Sequence, residues 1–228
     1  MDKFSLMVPN FIPSKEYVNP KHSNTCIGCG VALAVRHVGK AIEGLMSKAK
    51  FETAANTESF GVKNDAACMR IKQGKRELVI CLDDEPADKI ADVCAKKMPA
   101  VAAAEGCAYV ATASPSYPFD LMDKVKRAME TEGNSYIHIL CPCPMGWQFP
   151  TEDAVKVGFL AVESLAFPLY EIAGGYYNET VKTLKPRDVT EYIRAQGRFE
   201  KVTDQQIKSV AAAVEKDYAK LVEQTQAA

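Results

Sequence analysis

Two cysteine pairs carry the chemistry that residue types and spacing allow in this chain. Thr25-Cys26-Ile27-Gly28-Cys29-Gly30 separates two thiols by two residues, and Cys141-Pro142-Cys143-Pro144-Met145-Gly146-Trp147 offers a counterpart far downstream. A two-residue gap lets two thiolates converge on one metal ion or cluster, and neighbouring glycines permit the tight turn such a site needs. Zinc and an iron-sulfur cluster both accept this donor set, and the spacing does not choose between them. The other candidates for chemistry are oxygen donors. Asp83-Asp84-Glu85-Pro86 follows a short apolar run, and Asp83 and Asp84 there could hold magnesium, although three acids before a proline are also ordinary surface-loop composition. No Ser-His-Asp arrangement, phosphate-binding glycine loop or nucleic-acid module stands out, and no residue is assigned a catalytic role.

The elements that must position these residues can be read from apolar periodicity. Val31, Ala34, Val35, Val38, Ile42 and Leu45 recur at three- and four-residue intervals, which predicts an amphipathic helix from Val31 to about Met46. The cysteine turn then sits at the positive end of that helix, where thiolate charge is favoured. Residues 47–76 are polar and carry no clear pattern. Residues 77–82, 108–113 and 135–140 read as strands, apolar throughout rather than alternating, with helices expected over 99–105, 119–130 and 153–165. The third strand delivers Cys141 and Cys143 into a proline-constrained loop. Gly174-Gly175 marks a turn among short elements, and Thr203 with Gln206 forms a capping box before a last helix striped by Ile207, Val210, Val214, Tyr218 and Leu221.

This rhythm predicts an α/β fold, a mostly parallel sheet flanked by helices. The expected organisation is an extended arm over 1–25, a core with the cysteine loops over 26–167, and a C-terminal extension over 168–228 that packs on the core or on a partner. Among the remaining residues, His37 is expected on the polar side of the first helix and His138 as a hydrogen-bonded strand histidine. Lys96 and Lys97 are expected in solvent, Trp147 and Phe149 as anchors of the late cysteine loop, and Cys81, Cys94 and Cys107 as small core or interface residues.

Composition excludes several classes. With 28 basic and 29 acidic side chains and a net charge of -1, the chain presents no broad field for nucleic acid or an anionic membrane. No apolar run approaches the length that crosses a bilayer, and the N-terminus lacks the basic start and apolar stretch of a secretory signal. Cytoplasm is the expected compartment, where eight cysteines are thiols or metal ligands rather than disulfides.

From His22 and Cys26-Ile27-Gly28-Cys29-Gly30, through Tyr109-Val110-Ala111-Thr112-Ala113-Ser114 and Cys141-Pro142-Cys143-Pro144-Met145-Gly146-Trp147, to Gln196-Gly197-Arg198-Phe199, the chain resembles a known family. That family is the thiamine-diphosphate-containing beta subunits of pyruvate:ferredoxin and related 2-oxoacid:ferredoxin oxidoreductases. The resemblance implies a reduced thiamine-diphosphate-binding-type domain and a [4Fe-4S] cluster on four cysteines. It also implies partner subunits in an oxidoreductase complex, with ferredoxin as a possible acceptor. Cys26 and Cys29 match the first ligand pair and Cys143 the late ligand, with Cys141 its neighbour. The family's remaining cysteine should follow the first helix, where this sequence has none, and Cys68 is the nearest substitute by order. The family's magnesium segment, Gly-Asp-Gly, is absent, and Asp84 stands where a later asparagine is expected. Thiamine diphosphate and magnesium are therefore doubtful. The resemblance leaves two readings: a beta-type subunit contributing to electron transfer from 2-oxoacid oxidation, or a non-catalytic iron-sulfur or scaffold paralogue that has lost the coenzyme. A metal-free interaction domain is the blandest third.

Overall fold

A computed structural model describes residues 15–17, 25–43, 49–52, 57–59, 62–64, 67–84, 90 and 98–226. Helix α1 spans Gly30–Ile42 and is followed by strands β1 (Ala49–Glu52), β2 (Thr57–Ser59), β3 (Val62–Asn64), β4 (Ala67–Gln73) and β5 (Arg76–Asp83). Then come α2 (Met98–Ala104), β6 (Tyr109–Ala113), α3 (Pro118–Glu130), β7 (Ser135–Leu140) and the one-turn α4 (Pro144–Trp147). Helix α5 (Ala154–Glu163), the hairpin β8 (Leu169–Ala173) and β9 (Tyr176–Val181), α6 (Val189–Arg194) and α7 (Asp204–Gln226) complete the order.

Seven strands form one sheet in the order β1-β4-β5-β7-β6-β8-β9, and β2 pairs with β3 in a separate small ribbon. The parallel pairings join β5, β7 and β6 at the centre; β1, β4, β8 and β9 add antiparallel flanks. The expected α/β class holds, and the sheet is mixed. Central strands buried on both faces need apolar side chains at every position, and β6 and β7 are buried throughout. The unpatterned stretch before residue 76 contains strands because β4 pairs with β5 through a two-residue turn at Gly74, whose φ is +63°. Its alternation is blurred because Cys68 and Met69 are both buried.

Successive side chains in each strand enter different cores. Leu78, Ile80 and Leu82 of β5, with Met69, Ile137 and Ile139, face α1 and α3 in one cluster. Val79, Cys81, Cys68, Val110 and Tyr136 occupy the opposite face with Ala102 of α2. A third cluster joins Leu140 and Leu169 to α5, α6 and α7, with Trp147, Phe149, Ile207, Val210 and Val214 buried in it. Each such aliphatic side chain taken from water contributes about 1.5–3 kcal/mol, so the 168–202 stretch and α7 hold the end of the sheet rather than hang from it. The capping box forms: the Thr203 amide donates to Gln206 Oε1 at 3.0 Å, and the Gln206 amide donates to Thr203 Oγ1 at 3.3 Å.

One expectation is corrected here. His37 is 9% exposed, on the buried side of α1 between Arg36 and Lys40, and its Nδ1 has no hydrogen-bond partner among the described residues. The helix face at that level is covered in part by Glu16, which pairs with Arg36 at 2.9 Å and Lys40 at 2.8 Å. Most of the proposed 1–25 arm, including His22, and also Glu85, Cys94, Lys96 and Lys97 lie outside the described residues.

Candidate functional site

Both cysteine loops come to the carboxyl ends of the parallel strands, the edge where α/β sheets place ligands. The first is a tight turn in which the Cys29 amide donates to the Cys26 carbonyl at 3.3 Å. Gly28 takes a φ of +72°, a conformation that side-chain-bearing residues rarely adopt. Cys29 is then the N-cap of α1. The second loop leaves β7 at Cys141 and enters α4, whose N-cap is Cys143, with the Cys143 Sγ accepting from the Gly146 amide at 3.3 Å. The two loops touch through one hydrogen bond, Gly30 N–H to Pro142 O at 3.0 Å. A side chain at Gly30 would meet the backbone of Cys141 and Pro142, so glycine sets the spacing between them.

Exposure separates the thiols. Cys26 is exposed, Cys29 and Cys143 are half-buried, and Cys141 is sealed in the core against α1 and α3. Burial, then the nearby negative charges of Asp83 and Asp84, push the Cys141 thiol well above its ordinary range. It stays protonated and donates weakly to the Ile139 carbonyl. A cavity of about 550 Å³ adjoins the first turn, lined by Cys26, Cys29, Val31, Val35, Glu152 and Val155 among others.

Cys68 is held apart from these loops. In β4 its neighbour Met69 belongs to the α1 side of the sheet, while Cys68 itself faces the other way, directly opposite Cys81 and close to Tyr136. Cys107 packs against that same distant cluster. Among the described residues, no three His, Cys, Asp or Glu side chains gather as a metal-holding group.

The acidic loop is likewise otherwise engaged. Asp83 is 1% exposed, not a surface residue, and its Oδ2 lies 2.9 Å from His138 Nε2. The His138 Nδ1 in turn meets the Tyr136 hydroxyl at 3.1 Å. Burial holds the Tyr136 phenol far above its usual range, so it keeps its proton. His138 is the hydrogen-bonded strand histidine that the sequence suggests.

A bracing group that residue types alone do not flag closes the site. Arg198 stacks on Trp147 at 4.3 Å and Phe199 at 4.6 Å and donates to Gln196 Oε1 at 2.9 and 2.6 Å. Burial lowers its pKa to about 10, and the charges of Asp83 and Cys143 act on it from nearby. The adjacent Gly197 amide donates to Gln148 O at 2.9 Å, tying the C-terminal turn to the late cysteine loop. Only the Gln196-Gly197-Arg198-Phe199 resemblance pointed to this segment.

Comparison with known proteins finds relatives over about half of the chain. The chain is 45% identical over 115 residues to the pyruvate synthase subunit PorB of Methanocaldococcus jannaschii, covering 50% of this chain and 39% of that protein. It is 34% identical over 128 residues to the ketoisovalerate oxidoreductase subunit VorB of Pyrococcus furiosus, covering 55% and 41%. Over those spans the chain is similar to the PorB and VorB subunits. The match spans about half of the chain and well under half the length of these relatives. No protein-family model matches it. No helix among the described residues is long and apolar enough to cross a membrane.

Against the cofactors of that family, the residues present fit only in part. Cys68 lies on the sheet face opposite α1, the helix that begins at the Cys26–Cys29 turn, and the described residues hold no group of three metal-ligating side chains. Magnesium held by Asp83 and Asp84 together does not fit either, since Asp83 is committed to His138. The two docked loops carrying Cys26, Cys29 and Cys143 remain a thiol-rich edge, held by Gly30, Pro142 and the Arg198 brace.

Proposed function

We propose that this chain works as a beta-type subunit of a 2-oxoacid oxidoreductase-like complex, contributing to electron transfer from 2-oxoacid oxidation, with an iron-sulfur cluster at its paired cysteine loops. The observation that carries the reading is the docking of the Cys26–Cys29 turn on the Cys143 loop at the carboxyl edge of the parallel strands, in a chain homologous to PorB and VorB subunits. Two loops distant in sequence are locked together by a backbone hydrogen bond and a glycine contact, which suits an arrangement selected to hold thiolates near one another. Partner subunits, and ferredoxin as an acceptor, belong to this proposal.

One observation favours a second reading, in which the chain is an iron-sulfur or scaffold paralogue without its own coenzyme. The sequence has no Gly-Asp-Gly, and the acid at the end of β5 is spent on a buried histidine. Magnesium needs accessible hard oxygen ligands, and a diphosphate coenzyme needs magnesium or a substitute cation. In either reading this chain's side chains bind and position; none performs carbon-carbon cleavage.

Anaerobic purification with co-purifying subunits, followed by measurement of iron, sulfide, zinc and thiamine diphosphate on one sample, tests the proposal. Iron and sulfide in equal amounts support the cluster, and bound thiamine diphosphate selects direct participation over the paralogue. Zinc alone, or no metal, refutes the cluster.

A further inference from the structure

We infer that Cys68 and Cys81 are a redox-active thiol pair, which a hydroperoxide closes to a disulfide across β4 and β5. Neither thiol lies in the paired cysteine loops, so the inference stands apart from the cluster reading above. The two residues are direct partners in the antiparallel register of these strands. Side chains directly opposite in such a pair leave the same face of the sheet, with Cα atoms about 4.5–5.5 Å apart, and a disulfide accepts Cα separations of roughly 4.4–6.8 Å. Both cysteines belong to the cluster on the face away from α1, with Val79, Val110 and Ile172. Met69 and Ile80, one residue along each strand, pair in the same register and face α1. Both cysteines are thiols, and both are fully buried.

The oxidation balances with the hydroperoxide alone. Attack of one sulfur on the peroxide breaks the O–O bond, releases an alcohol or water and leaves a sulfenic acid; the facing thiol then displaces its hydroxyl as water. In total two S–H bonds and the O–O bond break, one S–S bond and two O–H bonds form, and the sulfurs give up two electrons. Holding the sulfurs face to face makes the second step intramolecular. Burial governs the first. On that flank β4 is the second strand of the sheet, with the four-residue β1 outside it, so a local opening admits a molecule as small as a hydroperoxide before a bulky thiol reagent. The surroundings supply a second observation. The Tyr136 phenol is in hydrogen-bond contact with the Cys81 side chain, its hydroxyl lies 3.1 Å from His138 Nδ1, and His138 Nε2 meets Asp83 at 2.9 Å. Oxidation removes the thiol proton at one end of this buried chain and alters the hydrogen bonding of His138 at the other.

The full chain is purified anaerobically, freed of reductant and treated with hydrogen peroxide without denaturant. Catalase stops the reaction, N-ethylmaleimide in urea caps the remaining thiols, and trypsin cuts the chain. Cleavage after Lys63, Arg70, Arg76 and Lys89 puts Cys68 on peptide 64–70 and Cys81 on peptide 77–89, with no other cysteine on either. The expected product is these two peptides joined, lighter than their sum by two hydrogens and separated again by dithiothreitol. Sulfoxide formation at Met145, which is 70% exposed, reports the peroxide dose. Recovery of Cys68 and Cys81 on separate maleimide-labelled peptides after Met145 has been oxidised overturns the inference. A joined peptide that forms only when peroxide is added in urea overturns it too, because the native register would then not present the pair. By NMR the His138 ring resonances should shift as the joined peptide forms and return with dithiothreitol; resonances that stay in place overturn the coupling to His138.

Discussion

Replacing Gly30 by alanine probes the contact that brings the cysteine loops together. The added Cβ would stand 2.5 Å from the Pro142 oxygen, 2.6 Å from the Pro142 nitrogen and 2.7 Å from the Cys141 carbonyl carbon. All three are backbone atoms in a proline-containing segment, so no side-chain rotation relieves the clash. Overpacking of this kind costs about 1–3 kcal/mol. If the loops part, the 3.0 Å hydrogen bond from Gly30 to Pro142 is lost as well, adding about 1 kcal/mol. Alanine's better helix propensity offsets little, because Gly30 is the first residue of α1. The expected total is about 2–4 kcal/mol, and for a chain of this size each kcal/mol lowers the melting temperature by roughly 2–4 °C. Thermal and urea melts of the Gly30→Ala chain read this directly, and maleimide labelling of the sealed Cys141 should accelerate as the loops separate. A melting temperature within a degree of wild type, with Cys141 still protected, would refute the proposed packing.

The same packing sets three further outcomes. Burial, with Arg36 and Lys40 nearby, lowers the His37 pKa from 6.5 to about 4; the unfolded chain therefore binds the extra proton between those values, and this group's stabilising contribution, full above pH 6.5, is lost as pH falls towards 4. Histidine NMR titration should find a resonance moving near pH 4 that disappears in His37→Gln; a His37 midpoint near 6.5 contradicts the burial argument. Asp83→Ala strips His138 Nε2 of the carboxylate at 2.9 Å and should lower stability in urea by roughly 1–3 kcal/mol, with Asp83→Asn milder because its amide oxygen can still accept; equal losses would remove the pair from the account. In metal-free native protein, alkylation followed by mass spectrometry should modify Cys26 first and spare Cys68, Cys81 and Cys141 until urea is added, as their burial requires. Early modification of Cys68 would show that β4 does not face as described.

Strong periodicity made some elements legible. The α1 stripe, the three central strands and the capped α7 are written in apolar spacing, because each buries a continuous face or both faces of a strand. The antiparallel edge formed by β1 and β4 was not legible: β4 mixes Arg70, Lys72 and Gln73 with buried residues, and its pairing is decided by β5 and the Gly74 turn. His37 was misplaced because its surroundings depend on what covers α1, including Glu16, which lies distant in sequence. Arg198 was invisible as chemistry because a lone arginine gains its meaning only from Trp147, Gln196 and the loop it braces.

The sequence by itself determined the α/β class, the two cysteine motifs and the kinship they carry, because periodicity and short motifs are local properties of the chain. Only the tertiary structure decided which thiols share an edge. Sheet register sends Cys68 and Met69 to opposite faces, and the long-range contact of Gly30 with Pro142 joins two loops more than a hundred residues apart. Sequence order offered Cys68 as the substitute ligand, and the alternation of side chains along β4 turns it to the face opposite α1.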